Sequence, residues 1–439
     1  MPTTHPAPHP SADATTTAPR TLWRNADFLK FWSGETLSLF GSQVTNLALP
    51  LTAVLVFHAT STEVGLLRFL QLVPYLGLAM VFGVWVDRAR RKRVMLLANG
   101  ARMALIGLIP LLSTAHLLTL PALLALACAI GVFSVLFDVS WMSFVPTLVR
   151  HRDRYLEANQ KLGTTSSAAE VAGPGLAGAL VGALTAPIAL IADAASYLVS
   201  LATLLWIRTP EPRPERPDPT RAQGRRHLGR EMREGLHWVF GDKVLRPLAF
   251  IAPFCNFSMV TIWTMFLLYA VRVQGLTATQ VGMVFSASSL GGLLGAALSR
   301  WLIDRFRLGI LYAVAMSAIF TGPLLIPLAT GSKATVIGFF VLSFFISYLG
   351  LGVANVVMVS LRQALTPTAL MGRMNAAFRT VLFGGGSLGG LGGGLIAGAL
   401  GLRTGITVLT VASAAMVVPV LLSPVSRLRN LPQRTADES

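Results

Sequence analysis

Six ionisable residues stand inside long apolar runs: Glu35, Arg102, Asp138, Glu170, Asp193 and Arg379. A charge in apolar surroundings is costly unless it is paired or does work, so each is a functional suspect. Carboxylates that are wet in one state and dry in another can take up and release a proton. Glu170, Asp138, Glu35 and Asp193 are therefore the candidate proton-coupling set. Each has a structural reading beside it. Glu35 and Asp138 could form an ion pair or a helix-end hydrogen bond, and Asp193, near Ser196 and Tyr197, suits a satisfied structural carboxylate. Arg102 can snorkel along its own helix and receives no role. No Walker A sequence, metal-ligand cluster or nucleophile constellation accompanies these groups. ATP-driven work and enzymatic catalysis therefore lack residues, and no metal or cofactor is expected.

The elements that must carry these groups follow from hydropathy. With 36 Lys plus Arg against 19 Asp plus Glu, the 439-residue chain has the bulk charge of a nucleic-acid binder. Its mean hydropathy of +0.64 and 53% hydrophobic content argue otherwise, because a soluble chain could not hide so much apolar surface. Twelve apolar segments can be counted, near residues 28–57, 62–86, 94–115, 119–147, 157–183, 185–207, 247–271, 278–303, 309–330, 334–363, 375–400 and 404–424. All should be helices, since they are too long and too continuously apolar for barrel strands. The expected class is an all-α membrane protein.

The cations orient it. An inner N-terminus puts Arg88 to Arg93, then Arg150, Arg152 and Arg154, then ten cations from Arg208 to Arg246, then Arg305 and Arg307, on one side; Arg68, Arg272, Lys333 and Arg403 remain for the other. This bias predicts both termini in the cytoplasm and explains the positive balance without nucleic acid. The expected organisation is a disordered tail (residues 1–24), a six-helix bundle (25–207), a cytoplasmic linker with an amphipathic surface helix (208–246), a second six-helix bundle (247–424) and a tail (425–439). Cys128 and Cys255, far apart in apolar runs, read as buried small hydrophobes.

The two bundles are copies. "STEVGL" (residues 61–66) matches "ATQVGM" (278–283) at an offset of 217, and the same offset places Asp87-Arg88 on Asp304-Arg305. Asn159 aligns with Asn375, Gly173 with Gly389 and Gly178 with Gly394 at 216. Six spans return the chain to its starting side, so the halves should be parallel repeats with the binding site between them near the midplane.

Twelve spans as six plus six, with "GVWVDRARRK" between the second and third, resemble the major facilitator superfamily, which carries G-x-x-x-D-R-x-G-R-R/K in this loop. Gly83, Asp87, Arg88, Arg91 and Lys92 match; Arg90 stands where the family usually has Gly. "AEVAGPGLAG" in the fifth span resembles the G-P-x-x-A-G motif of its exporters through Gly173, Pro174 and Gly178, with Ala169 in place of an upstream Gly. "LFDVSWMSFVPTLV", "YLEANQKL" and "IADAASYLVS" are similar to the macrolide and siderophore efflux branch.

The resemblance implies that the first, fourth, seventh and tenth helices line a central cavity. Its polar and aromatic candidates are then Gln43, Asn46, Trp141, Asn256, Trp263, Tyr348 and Asn355. It implies a cytoplasmic gate of Gly83, Asp87, Arg88, Arg91, Asp304, Arg305 and Arg379, in which Gly83 allows close helix contact and Asp87 reaches a helix N-terminus of the other half. The Gly-Pro pair should bend the fifth helix, and the run "GGGSLGGLGGG" (residues 384–394) reads as a packing face, not a phosphate loop. The expected function is a proton-coupled exporter of a drug-like or secondary-metabolite solute by alternating access, monomeric and resident in a bacterial plasma membrane. An importer or facilitator, or a non-transporting sensor on the same fold, are the alternatives.

Overall fold

The computed structural model describes residues 22–149, 152–211, 228–367 and 370–429. The first span is α1 (Ala26–Leu55), whose N-cap Asn25 accepts hydrogen bonds from the backbone N–H groups of Asp27 and Phe28. The second is broken at Pro74, which has no N–H to continue the ladder, into α2 (Ser61–Leu72) and α3 (Pro74–Arg88). Then come α4 (Arg91–Thr114), α5 (Leu120–Leu148), α6 (Arg152–Ala183) and α7 (Ala186–Trp206), with α8 (Leu228–Gly241) in the linker. The second half holds α9 (Leu245–Arg272), α10 (Ala278–Arg305), a ninth span made of α11 (Leu308–Thr321) and α12 (Leu325–Leu328), α13 (Lys333–Leu365), α14 (Met371–Leu400), and a twelfth made of α15 (Leu402–Ala415) and α16 (Val417–Leu422).

Ten of these spans, among the described residues, are long and apolar enough to cross a bilayer on composition alone. The other two have physical reasons to fall short. Pro74 splits the second into short helices, and α6 carries Thr164 to Ser167 and Glu170 along its middle.

The repeat is a repeat of packing. In the first half α1 packs on α6 and α7, α5 on α3 and α4, and α4 on α7; in the second, α9 packs on α14 and α15, α13 on α10 and α11, and α11 on α15. Each pairing in one bundle has its counterpart in the other. Between halves the same symmetry holds, with α6 against α10 and α14 against α2.

Both described chain ends and the linker lie at one end of the bundle, called here the linker end. Leu22 N–H donates to Glu157, at the start of α6, and Gly309 N–H donates to the carbonyl of Leu428. The linker leaves α7 strapped to the first bundle, where Asp27 accepts from the N–H groups of Arg208 and Thr209 at 3.1 and 2.8 Å. The amphipathic helix expected on the membrane surface is α8, and it docks on protein. Val239 joins the core of the second bundle, Glu234 pairs with Arg373 at 2.7 Å, and Gly235 lies against the Arg373 backbone. The N-terminal tail expected over residues 1–24 falls, up to residue 21, outside the described residues, as do residues 430–439 of the C-terminal one.

Candidate functional site

The halves meet most closely at the end away from the linker. A Cβ added at Gly178 would lie 2.6 Å from the Ala278 carbonyl oxygen and 2.9 Å from Gly282 Cα. One added at Gly394 would lie 2.7 Å from the Ser61 oxygen and 2.9 Å from Gly65 Cα. These two crossings are the same crossing, related by the repeat. Each is completed by a hydroxyl, Thr279 to the Gly178 carbonyl at 3.2 Å and Thr62 to the Gly394 carbonyl at 3.3 Å. Arg272 adds a third tie across the halves, to the Ala59 carbonyl at 2.7 Å. The glycine run of α14 is thus a double packing face, with Gly385 and Gly389 against α9 and Gly390 and Gly394 against α2.

Pro174 does not end α6, but backbone groups beside it take partners from neighbouring spans. The Ala169 carbonyl accepts from Gln43 Nε2 at 3.2 Å, and Gly175 N–H donates to Ser286 Oγ, in the other half, at 2.7 Å. Gly173 leaves room for the Gln43 side chain, which a Cβ there would meet at 2.5 Å.

Towards the linker end a cavity of about 460 Å3 opens between the halves. Its first-half wall carries Glu35 from α1, Asp138 and Trp141 from α5, and Asn159 and Ser166 from α6; Arg379 of α14 faces them. Leu39, Phe137, Met142 and Leu162 supply apolar surface. Tyr75 donates to Asp138 Oδ2 at 2.9 Å and stacks on Phe383 of the other half, ring centroids 4.7 Å apart. Arg379 has softer company, with Nη1 2.9 Å from Met142 Sδ and the guanidinium 5.8 Å from the Phe383 ring. Two polar atoms of the cavity-lining residues, Glu35 Oε2 and Trp141 Nε1, are buried with no hydrogen-bond partner among the described residues. Arg379, expected at the gate, stands two turns into α14 and lines this cavity instead.

Behind the acidic wall lies a group the sequence reading passed over. Arg102 is only 9% exposed, its guanidinium 4.3 Å from the Tyr197 ring and 5.4 Å from Phe137. It is close enough to interact electrostatically with Glu35, Asp138 and Asp193. Snorkelling is ruled out by its position in the bundle interior. Asp193 is fully buried, accepting from the hydroxyls of Thr45 and Ser196. That is the satisfied carboxylate its neighbours suggested, now with a cation nearby.

The remaining candidates are spread over the interface. Glu170 is exposed on α6, one turn past Ser166, and interacts electrostatically with Tyr348 of the second half. Asn46 donates to Gln43 Oε1 at 3.3 Å. Trp263 stacks on Phe285 and lies under Arg68, 5.3 Å away, so Arg68 belongs to the interface and not to an outer helix end. Asn256 is committed to packing, donating to the Leu382 carbonyl at 2.7 Å, and Asn355 is exposed on α13. Of the proposed cavity residues, only Trp141 shares the cavity with Glu35 and Asp138.

A family model described as Major Facilitator Superfamily matches residues 31–390. The chain belongs to the Major Facilitator Superfamily. It is a multi-pass membrane transporter and not an enzyme. Among curated relatives it is similar to the enterobactin exporter EntS of Escherichia coli O1:K1, 27% identical over 415 residues that span 92% of this chain and 94% of the relative. The Citrobacter koseri protein of the same name is 26% identical, over 81% of this chain and 83% of its own. Among solved structures, a bacterial homologue of the iron transporter ferroportin in an inward-facing state superposes with a TM-score of 0.71 at 18% identity, covering 93% of this chain and all of the other. A bacterial homologue of the lysosomal transporter Spinster, inward-facing and unoccupied, gives 0.67 at 16%, covering 93% and 98%.

The superfamily's loop motif sits at the linker end. Asp87 and Arg88 close α3, and their side chains lie outside the described residues. Gly83 has open space where a Cβ would stand, so it makes no close helix contact in this state. Beyond the loop, Glu211 of the linker accepts from the N–H groups of Arg91 and Lys92 at 2.6 and 3.3 Å, capping α4 from outside. The second copy is barer: Asp304 and Arg305 are exposed at the end of α10, and no side-chain hydrogen bond joins them to other described residues. The second copy also has Arg300 where Gly83 stands, so the first is expected to be the main latch and Asp87→Asn to slow transport more than Asp304→Asn. One helix-terminus contact is worth about 1 kcal/mol, so the gap should be roughly fivefold in initial uptake by vesicles. Equal defects would show a shared latch.

Proposed function

We propose that this transporter is a proton-coupled exporter of a drug-like or secondary-metabolite solute, siderophores included, working across a bacterial plasma membrane with the linker end in the cytoplasm. The observation that carries the reading is the pairing of a sealed far end with a cavity near the linker end whose acidic wall faces a cation. In that state the solute enters from the linker side. Rocking of the halves then opens the glycine crossings, the solute leaves, and protonation of a carboxylate from outside resets the cycle. The likeness to enterobactin exporters supports the outward direction, and the cation bias of the linker-side loops supports the orientation.

Glu170 is the residue proposed to register the far-side protons, because it stands on the α6 face that continues from the cavity towards the glycine crossing, in electrostatic range of Tyr348 of the other half. Glu35 and Asp138 are proposed to couple protonation to the cavity's contents. Everted vesicles acidified inside should accumulate a transported siderophore or antibiotic from a screened panel, and a protonophore should stop it. Glu170→Gln should reduce this accumulation to background while leaving equilibrium binding measurable. Normal accumulation in that variant would remove Glu170 from the mechanism, and equal movement in both directions without a gradient would make the protein a facilitator.

A further inference from the structure

The cavity's unmet hydrogen-bonding capacity is divided between the halves by charge. On the first-half wall, Glu35 is 93% buried by its 7% exposure, and Oε2 has no partner among the described residues. Asp138 beside it already accepts from Tyr75, whereas the Glu35 carboxylate has no hydrogen bond from a described residue. On the second-half wall, Arg379 touches a thioether and a ring face among the described residues, which leaves most of a five-donor guanidinium for the cavity. Trp141 Nε1–H, buried and unpartnered, adds a neutral donor.

The placement of charge narrows what can satisfy these groups. The cavity lining is acidic on the first half, with Glu35 and Asp138, and cationic on the second, with Arg379; Arg102, behind the acids, is shared with the sealed Asp193. A solute of one sign would satisfy one wall and meet like charge on the other in a poorly hydrated space. A solute carrying both signs answers both walls. The geometry points to an amphoteric solute, with a basic nitrogen held by Glu35 and an anionic group held by Arg379 and Trp141, joined by an apolar body against Phe137 and Leu162. Such a molecule bridges the two halves, because Glu35 and Trp141 belong to one and Arg379 to the other. Loading then draws the linker end together, which gives the solute a part in closing its own cavity. A molecule with one charged end could fill the space but would not make the bridge.

This inference rests on the transporter reading of the cavity, and it is independent of direction and of proton coupling. The test is equilibrium binding to the purified full-length protein in detergent, read by dansyl fluorescence. The ligand is Nα-dansyl-lysine, whose free ammonium and carboxylate are separated by the lysine side chain. Its methyl ester lacks the anion and its Nε-acetyl derivative lacks the cation. The parent should bind roughly tenfold more tightly than either derivative, the effect of one charged hydrogen bond. Glu35→Gln should erase the preference over the acetyl derivative only, and Arg379→Gln the preference over the ester only. Equal binding of all three to the unaltered protein, or binding of none, overturns the proposal without help from any variant. So does a Glu35→Gln protein that keeps both preferences, since Glu35 would then serve Arg102 alone. Failure of driven transport with these preferences intact would count against the exporter reading and leave this one standing.

Discussion

Valine at Gly178 or Gly394 is expected to stop transport and to hold the far end of the protein open. Each glycine faces backbone across the halves, at 2.6 and 2.9 Å from where its Cβ would be for Gly178 and at 2.7 and 2.9 Å for Gly394. Backbone atoms of two packed helices cannot rotate away as a side chain would. The crossing must therefore widen, and overpacking of this kind costs about 1–3 kcal/mol. That cost falls only on the state in which the far end is sealed, so it shifts the two-state balance by roughly 5- to 150-fold. Alanine should give the same direction with a smaller shift. Spin labels at Leu117→Cys and Lys333→Cys, exposed at the far end of opposite halves, would report it in a background with Cys128 and Cys255 replaced by Ala. The distance distribution should broaden to longer values in both valine variants. Unchanged distances with normal uptake would show that the crossings tolerate side chains and are not the far seal. Because the crossings are related by the repeat, the two variants should behave alike, and a defect in one alone would mean that the halves do not open symmetrically.

The strongest internal match of the sequence was legible because it encodes two local requirements at once. "STEVGL" and "ATQVGM" follow Thr60 and Thr277, and each pair starts a helix with a reciprocal cap, Thr60 with Glu63 and Thr277 with Gln280. The same stretches hold Gly65 and Gly282, the partners of the two crossings. Helix start and interhelical contact both depend on a few residues at fixed spacing, so they survive in a bare sequence. The span count was legible too, from hydropathy, although the second, ninth and twelfth segments are each subdivided into two helices. Side-chain partnership was much less so. Asn256 and Trp141 look alike as polar or aromatic insertions in an apolar run, yet one is tied to the Leu382 carbonyl and the other opens into the cavity. Which of these happens depends on rotation of a helix about its own axis, and periodicity cannot fix that when apolar residues surround it on every side. Arg102 was missed for a different reason. The rule that made its neighbouring acids suspects applied to it equally, and the length of an arginine side chain offered an escape by snorkelling that the bundle interior does not allow.

Arg102→Ala is accordingly the substitution expected to damage the fold most. The interior of the first bundle holds Glu35, Asp138 and Asp193, and Arg102 is the buried cation in electrostatic range of all three. Removing one partner of a buried charge set leaves the rest uncompensated, at a cost of about 3–5 kcal/mol. The thermal midpoint of the purified protein should fall on the order of 5–10 °C, with transport lost. Arg102→Lys keeps the charge and gives up the flat contact with Tyr197, 4.3 Å from the guanidinium, so it should recover part of the stability. A cycle with Asp193→Asn and Asp138→Asn separates two roles. If Arg102 mainly balances the sealed carboxylate, Asp193→Asn relieves the alanine variant and Asp138→Asn does not. If it mainly balances the cavity wall, the order reverses, and Arg102 then sets the charge that an arriving solute or proton meets. An alanine variant as stable as the parent would mean that the acids are held neutral and that Arg102 has no counter-ion role.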